Sequence, residues 1–263
     1  MSRSTFAAAV LGVVAACAVA ALASWLLGGA DGQAAPYHAV LPPPPKPALN
    51  VPAPRALASA APVAIWTSVR RPATARARPK RGARPVARLA RRTPEGSANI
   101  VLVIGRAADP RGRVWVRARL ATLPNGTTGW VPRSALGAYQ TVRTRLIVDR
   151  ERLTATLLRD GRSMFRADIG VGQARWPTPR GHFYIRNRLT RYRSATYGPL
   201  AFGTSARSEQ LTDWPGGGFV GIHGTDQPGL LPGRVSHGCI RMRNRDILRL
   251  GRLMDVGTPV TIR

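Results

Sequence analysis

The sequence predicts a mainly β protein: a small β-barrel, then a larger β domain with one or two helices, behind an apolar N-terminal helix and a disordered linker. Three observations predict it. Beyond about Ala98 the apolar runs are short and end at Gly, Pro, Asn-Gly or Asp-Gly steps, the pattern of strands and tight turns. One clear stretch, Asn244–Leu250, reads as a helix. The residues before Ala98 are first almost wholly apolar and then rich in Pro and Arg, with little to build a core from. The expected layout is therefore a targeting segment at 1–30, a basic linker at 31–97, a small β domain at 98–140 and a larger one at 141–263.

Phe6–Gly29 is 24 residues without a charge, enough to span a hydrocarbon core of roughly 30 Å as a helix. Arg3 precedes it, which favours a cytoplasmic N-terminus. The same residues also fit a cleaved signal, through Ala21-Leu22-Ala23. Val14-Ala15-Ala16-Cys17 resembles a lipoprotein box, although the residues after Cys17 stay apolar. All three readings place the rest of the chain outside the cytoplasm, in the cell wall or periplasm, and the first anchors it to the membrane.

The chain of 263 residues carries a formal charge of +28. From Pro36 to Pro94 there are 13 of its 23 prolines and no acidic residue, and 10 Lys or Arg residues fall between Arg70 and Arg92. Proline removes backbone donors and turns its predecessor away from helix. The stretch therefore reads as a semi-extended spacer that lifts a catalytic domain off the membrane. Its basic run fits anionic wall polymer or anionic lipid as well as plain solvation. Nothing points to a specific nucleic acid.

Ile100–Ile104 is a short buried-strand candidate, and Val114–Leu120 is β-prone and partly alternating. Pro124-Asn125-Gly126 is a turn. Gly129-Trp130-Val131-Pro132 is a strand that ends in a helical turn at Arg133–Leu136. The set Trp115-Val116-Arg117, Asn125-Gly126 and Gly129–Leu136 resembles the Src-homology-3-like domains of exported bacterial wall enzymes. That resemblance implies either a binder of wall peptides or a packing module.

Arg145–Asp149 and Leu153–Leu158 read as strands separated by a hairpin-like break, with Asp160-Gly161 as the next turn. Phe165–Gly172 reads as a third strand and His182–Ile185 as a fourth, after the loop Pro177–Gly181. An apolar strand runs into His223. The helix starts at Asn244 as its N-cap, and Thr258–Ile262 closes the domain.

The chemistry concentrates in Ser236-His237-Gly238-Cys239-Ile240-Arg241-Met242 and in Gly221-Ile222-His223-Gly224-Thr225. The chain has two cysteines and four histidines. With Cys17 in the apolar segment, Cys239 has no exported partner for a disulfide. A single thiol near imidazoles suits a cysteine nucleophile with a histidine base. The alternative is a buried, inert thiol. His223 and His237 compete for the base, since His237 would share a strand face with Cys239. Gly238 leaves room for a substrate carbonyl, and backbone N–H groups of His237, Gly238 and Cys239 could form an oxyanion hole. His182, His223, His237 and Cys239 match no compact zinc spacing, so no cofactor or metal is expected.

The run Ile222-His223-Gly224-Thr225, Gly233 and Ser236–Met242, with Asn244 and Asp246, resembles the signature of the YkuD-type L,D-transpeptidase catalytic domain. The likeness extends to Arg175–Phe183 and spans Thr144–Arg263. Some members carry Asn where this chain has Arg241.

The resemblance implies a β-sandwich enzyme acting on peptidoglycan tetrapeptide stems. Cys239 would attack the carbonyl of the third residue, the terminal D-Ala would leave, and the thioester would pass to an amine of a neighbouring stem, giving a 3→3 cross-link. It assigns the base to His223, oriented by a backbone carbonyl near Gly224. Ser236, His237, Gly238 and Gly224 would line the site and support the oxyanion, and Arg241 would meet a substrate carboxylate. It also implies acylation of Cys239 by carbapenems. An L,D-carboxypeptidase on the same stems, or a non-catalytic wall-binding protein, are the other functions to weigh.

Overall fold

The structure is a computed structural model, described here for residues 63–190, 194–211 and 217–263. The apolar segment at 6–29, Cys17 and the Pro-rich residues up to 62 lie outside the described residues. Among the described residues no helix is long and apolar enough to cross a membrane.

The first strands correct the expected linker. Residues 31–97 were expected to be disordered throughout, yet β1 (Ala64–Val69), β2 (Ala73–Arg76) and β3 (Pro85–Leu89) fall inside that range. They join β4 (Ile100–Ala108), β5 (Val114–Arg119), β6 (Thr128–Pro132) and β7 (Leu136–Val142) in one sheet of order β3-β2-β6-β5-β4-β1-β7. The prolines are compatible because they punctuate: Pro72 precedes β2, Pro79 lies in the turn, and Pro85 opens the edge strand β3. Ala75 and Leu89 face inward onto Val101, Val103, Val116, Ala118 and Val131. One sheet, with β3 and β7 as its edges, thus encloses its own core. The Arg133–Leu136 turn is a 3-10 turn at Arg133–Ala135.

The second sheet contains β8 (Thr144–Asp149), β9 (Thr154–Arg159), β10 (Arg162–Asp168), β11 (Gly170–Gly172) and β12 (Gly181–Leu189). It continues with β13 (Ala201–Arg207), β14 (Phe219–His223), β15 (Gly233–Ser236), β16 (Ile240–Arg241) and β17 (Pro259–Ile262). The order is β10-β9-β8-β17-β12-β13-β14-β16-β11-β15. Strand β12 joins the halves: Gly181–Tyr184 pairs with β17 and Ile185–Leu189 with β13. Leu146, Leu157 and Phe165 from one half and Phe202, Ile222 and Ile240 from the other share a single core, the two-layered β architecture expected. The helix α1 (Asn244–Leu253) adds Ile247 and Leu250 to that core.

Three details differ from expectation. Phe165–Gly172 is two strands, because the backbone leaves β10's partner at Asp168 and pairs again with β15 and β16. Strand β13, central in the sheet, falls in a run to which the sequence reading assigns no element. Asn244 is not the N-cap; Arg243 occupies that place without a side-chain cap.

The two β domains meet across a small apolar contact of Ile100, Leu102 and Tyr184, with Trp66 and Val256 packed against it. The buried Tyr184 hydroxyl donates to the Ile100 carbonyl at 3.0 Å. Removing a hydroxyl that satisfies a buried carbonyl costs about 1–2 kcal/mol. Tyr184→Phe should therefore lower the melting temperature by roughly 2–8 °C for a unit of this size, read by calorimetry; an unchanged temperature would mean this hydrogen bond does not hold the domains together.

Candidate active site

The site is assembled where β14 and β16 run side by side in parallel, with Ile222 opposite Ile240 and His223 opposite Arg241. That register brings Cys239, one residue before β16, beside Gly221, whose N–H donates to Sγ at 3.4 Å. A Cβ on Gly221 would lie 3.7 Å from the His223 ring and 3.8 Å from Sγ, so base and sulfur flank one point, each within van der Waals reach of it. Cys239, His223, Ser236, His237 and Arg241 all line one cavity of about 240 Å³, together with Tyr197 and Phe219.

His223 is 2 % exposed and its Nδ1 lies 2.6 Å from the Gly224 carbonyl oxygen. A carbonyl only accepts, so Nδ1 carries the proton and Nε2 keeps its lone pair. Gly224 is itself held: a Cβ there would overlap Asn244 Oδ1, the atom that accepts the Thr225 N–H at 2.9 Å. Asn244, expected as a helix cap, instead braces the turn that orients the base. The Tyr197 ring lies 4.7 Å from the imidazole, centroid to centroid. Asp226 is exposed, and the orienting group is the backbone carbonyl.

Burial pushes the His223 imidazole down to about 4, against the pull of its Gly224 hydrogen bond and with help from the Arg241 charge. Burial also pushes the Cys239 thiol up, while the Gly221 N–H and Arg241 act the other way. At neutral pH the resting pair is therefore a thiol beside a neutral imidazole, ready for proton transfer to Nε2 during attack.

The Ser236–Cys239 bend is closed on itself. Ser236 Oγ donates to the Cys239 carbonyl at 2.5 Å and accepts the Gly238 N–H at 3.1 Å. This corrects two expectations. The Gly238 N–H is engaged with Ser236 and is not presented to an oxyanion. His237 and Cys239 do not share a strand face, since they flank Gly238 in a bend with φ +113°. His237 is exposed and stacks on Trp176 at 4.2 Å between centroids, whereas His223 is buried and fixed, which favours His223 as base.

Thr178 was not singled out from residue chemistry, yet it locks the bend to the rest of the domain. It is 1 % exposed, donates to the Gly238 carbonyl at 2.8 Å and accepts the Gly172 N–H at 2.9 Å. Its signal in the sequence was the Thr-Pro-Arg-Gly turn at 178–181. Arg241 contacts Gln227 at 3.4 Å, while its buried Nε has no partner. His182 is exposed and lies near Thr261, away from the thiol. Among the described residues no group of three His, Cys, Asp or Glu is gathered to hold a metal.

A buried histidine kept neutral makes stability depend on pH. The folded value of about 4 lies below the ordinary 6.5, so the unfolded chain binds the proton more readily. The contribution is intact above pH 6.5 and is lost as pH falls towards 4, by about 3 kcal/mol. In urea titrations at the two ends of that window, wild type should lose that much more stability than His223→Gln; equal losses would mean the imidazole is not buried neutral.

Residues 143–262 match the family model described as YkuD, L,D-transpeptidase catalytic domain. The chain is 38% identical over 109 residues to YkuD of Bacillus subtilis (strain 168), an L,D-transpeptidase by name, covering 41% of this chain and 59% of that one. It is 36% identical over 120 residues to the protein of the same name from Bacillus licheniformis, covering 46% and 59%. The chain thus spans less than two thirds of the length of these curated relatives. The NMR structure of the catalytic domain from E. faecium L,D-transpeptidase is 28% identical, covering 46% of this chain and 96% of that one with a TM-score of 0.36. The histidine and cysteine brought to one cavity on β14 and beside β16 thus lie in the stretch, residues 143–262, that is similar to the YkuD L,D-transpeptidase catalytic domain.

Proposed function

We propose that the chain is an exported L,D-transpeptidase that acts on peptidoglycan tetrapeptide stems through a thioester on Cys239. The observation that supports this most strongly is the shared position of Sγ and the His223 ring around Gly221, with Nδ1 of the base anchored and Nε2 left to accept a proton. The thiol proton passes to Nε2 as sulfur bonds to the carbonyl carbon of the third stem residue. His223 returns that proton to the departing D-Ala nitrogen, and the C–N bond breaks to leave the thioester. An amine of a second stem then attacks the thioester carbonyl and gives its proton to His223; the C–S bond breaks, the sulfur takes that proton to regenerate the thiol, and a 3→3 amide link forms.

Other groups have supporting parts. The Gly221 N–H and the Arg241 charge favour negative charge on sulfur in passing. With the Gly238 N–H taken by Ser236, the Cys239 N–H is the donor assigned to the oxyanion. Arg241, its Nε buried and unpartnered at the cavity, suits a substrate carboxylate. The cavity's small volume fits the end of a peptide, not a glycan strand.

Location follows from the apolar segment at 6–29, which supports export and anchoring to the cytoplasmic membrane. The upstream sheet is read as Src-homology-3-like from its Gly-Trp-Val-Pro strand. The basic run suits anionic wall polymer or lipid. Its tip is a hairpin turn in which Arg78, Lys80, Arg81 and Arg84 are exposed.

Incubating purified tetrapeptide muropeptides with the protein tests the reading by mass spectrometry. D-Ala loss with dimers is expected. Loss without dimers means water replaces the amine and the enzyme is an L,D-carboxypeptidase. Cys239→Ala should reduce D-Ala release by at least about 10³-fold; a variant that retained activity would rule out the thioester.

A further inference from the structure

Phe219 opens β14, lines the catalytic cavity and stands four residues before the base. Two arginines hold its ring. Arg186 Cζ lies 3.6 Å from the ring centroid and Arg207 Cζ 5.0 Å, within the range of cation–π contact. Both arginines belong to the catalytic domain, on β12 and β13.

Each is fixed by a different loop of the upstream domain. Arg186 is 2 % exposed, and its charge is met by Glu95, from the β3–β4 loop, at 2.8 Å. The second carboxylate oxygen accepts from Asn187 at 3.1 Å, and Arg186 Nε donates to the Thr204 carbonyl at 3.1 Å. Burial pushes the Glu95 carboxyl up, but Arg186 and the hydrogen bonds around it outweigh that and keep it charged. Arg207 is held through its backbone: Asn125, in the β5–β6 turn, donates to its carbonyl at 2.8 Å and accepts its N–H at 3.0 Å. The Arg207 guanidinium in turn donates to the Gly217 carbonyl from Nε at 2.9 Å and Nη2 at 2.6 Å, two residues before Phe219. Two separate upstream loops thus converge on one aromatic ring in the cavity.

We propose that the upstream β domain is a working part of the substrate site: Glu95 and Asn125 are positioning residues that set Phe219 through Arg186 and Arg207, and Phe219 determines which substrate side chains enter beside Cys239. The wall is apolar here, with Leu211 and Val220 alongside, so the group it selects is the aliphatic part of a stem-peptide side chain. A domain carried only to bind wall material needs no such connection to the cavity. The inference rests on the transpeptidase reading for its substrate, but not for the coupling itself.

The test uses the full-length protein with Asn125→Ala, Phe219→Leu and the pair combined. Glu95→Gln strands the buried Arg186 charge and is expected to unfold, so Asn125→Ala, which loses two hydrogen bonds at a half-buried position, carries the experiment. In D-Ala release from tetrapeptide, each single variant should raise KM about 3- to 10-fold with kcat within about twofold, and the double variant should be no worse than Phe219→Leu alone. A melting temperature for each variant separates this split from general loosening. Independent effects of the two substitutions, or a change in kcat alone, would overturn the proposal.

Alkylation gives a second readout that needs no substrate. The rate on the Cys239 peptide is followed by mass spectrometry with iodoacetamide and with the bulkier N-phenylmaleimide. Both single variants should change the bulky-to-small ratio alike, by about threefold or more, while the iodoacetamide rate holds. An unchanged ratio overturns the coupling even if wild type releases no D-Ala, an outcome that would instead remove the transpeptidase reading.

Discussion

The hydrogen bond from His223 Nδ1 to the Gly224 carbonyl is the contact on which the catalytic domain turns. It fixes the proton on Nδ1 and leaves the lone pair on Nε2, and the surrounding turn is tightly packed. Gly224 has no room for a side chain against Asn244, and Asn244 holds the next N–H. The parallel pairing of β14 with β16 then brings sulfur to the base, and Thr178 ties the cysteine bend back to β11. A carboxylate in the orienting position would favour the charged imidazolium; a carbonyl orients the ring without adding a negative charge.

Burial makes this arrangement chemically particular. Burial raises the thiol and lowers the imidazole, so neither is charged at rest. The Gly221 N–H and Arg241 lie close enough to favour a thiolate over the thiol if that proton leaves. The imidazole of His237, by contrast, is exposed and lies against Trp176.

Much of the fold was legible because short apolar runs between glycine and proline signals are a local pattern. Strands β4, β5, β6, β8, β9 and β17 lie close to where that pattern places them. The β1–β3 region was not legible. Its inward residues mix alanines with a few scattered Ile, Val and Leu, a weak apolar signal, and its prolines and arginines resemble a disordered chain until β4 and β6 supply a surface to pack against. Strand β13 was lost for a related reason, since Ala201–Arg207 mixes small and polar residues whose burial comes from neighbours on both sides.

The sequence by itself determined the candidate actors: Cys239, His223 and the glycines around them stand in two local motifs that can be read without the fold. It also determined that Arg241 would stand beside them, two residues from the thiol. Only the tertiary structure decided how they are set. The bracing by Asn244 and Thr178, and the reach of Glu95 and Asn125 towards Phe219, rest on contacts between residues far apart in the chain; the tautomer of His223 and the engagement of the Gly238 N–H with Ser236 are made by near neighbours, but only in the turns that this packing fixes. Hydrogen-bond geometry and desolvation depend on which distant groups fold together, and residue type alone does not specify that.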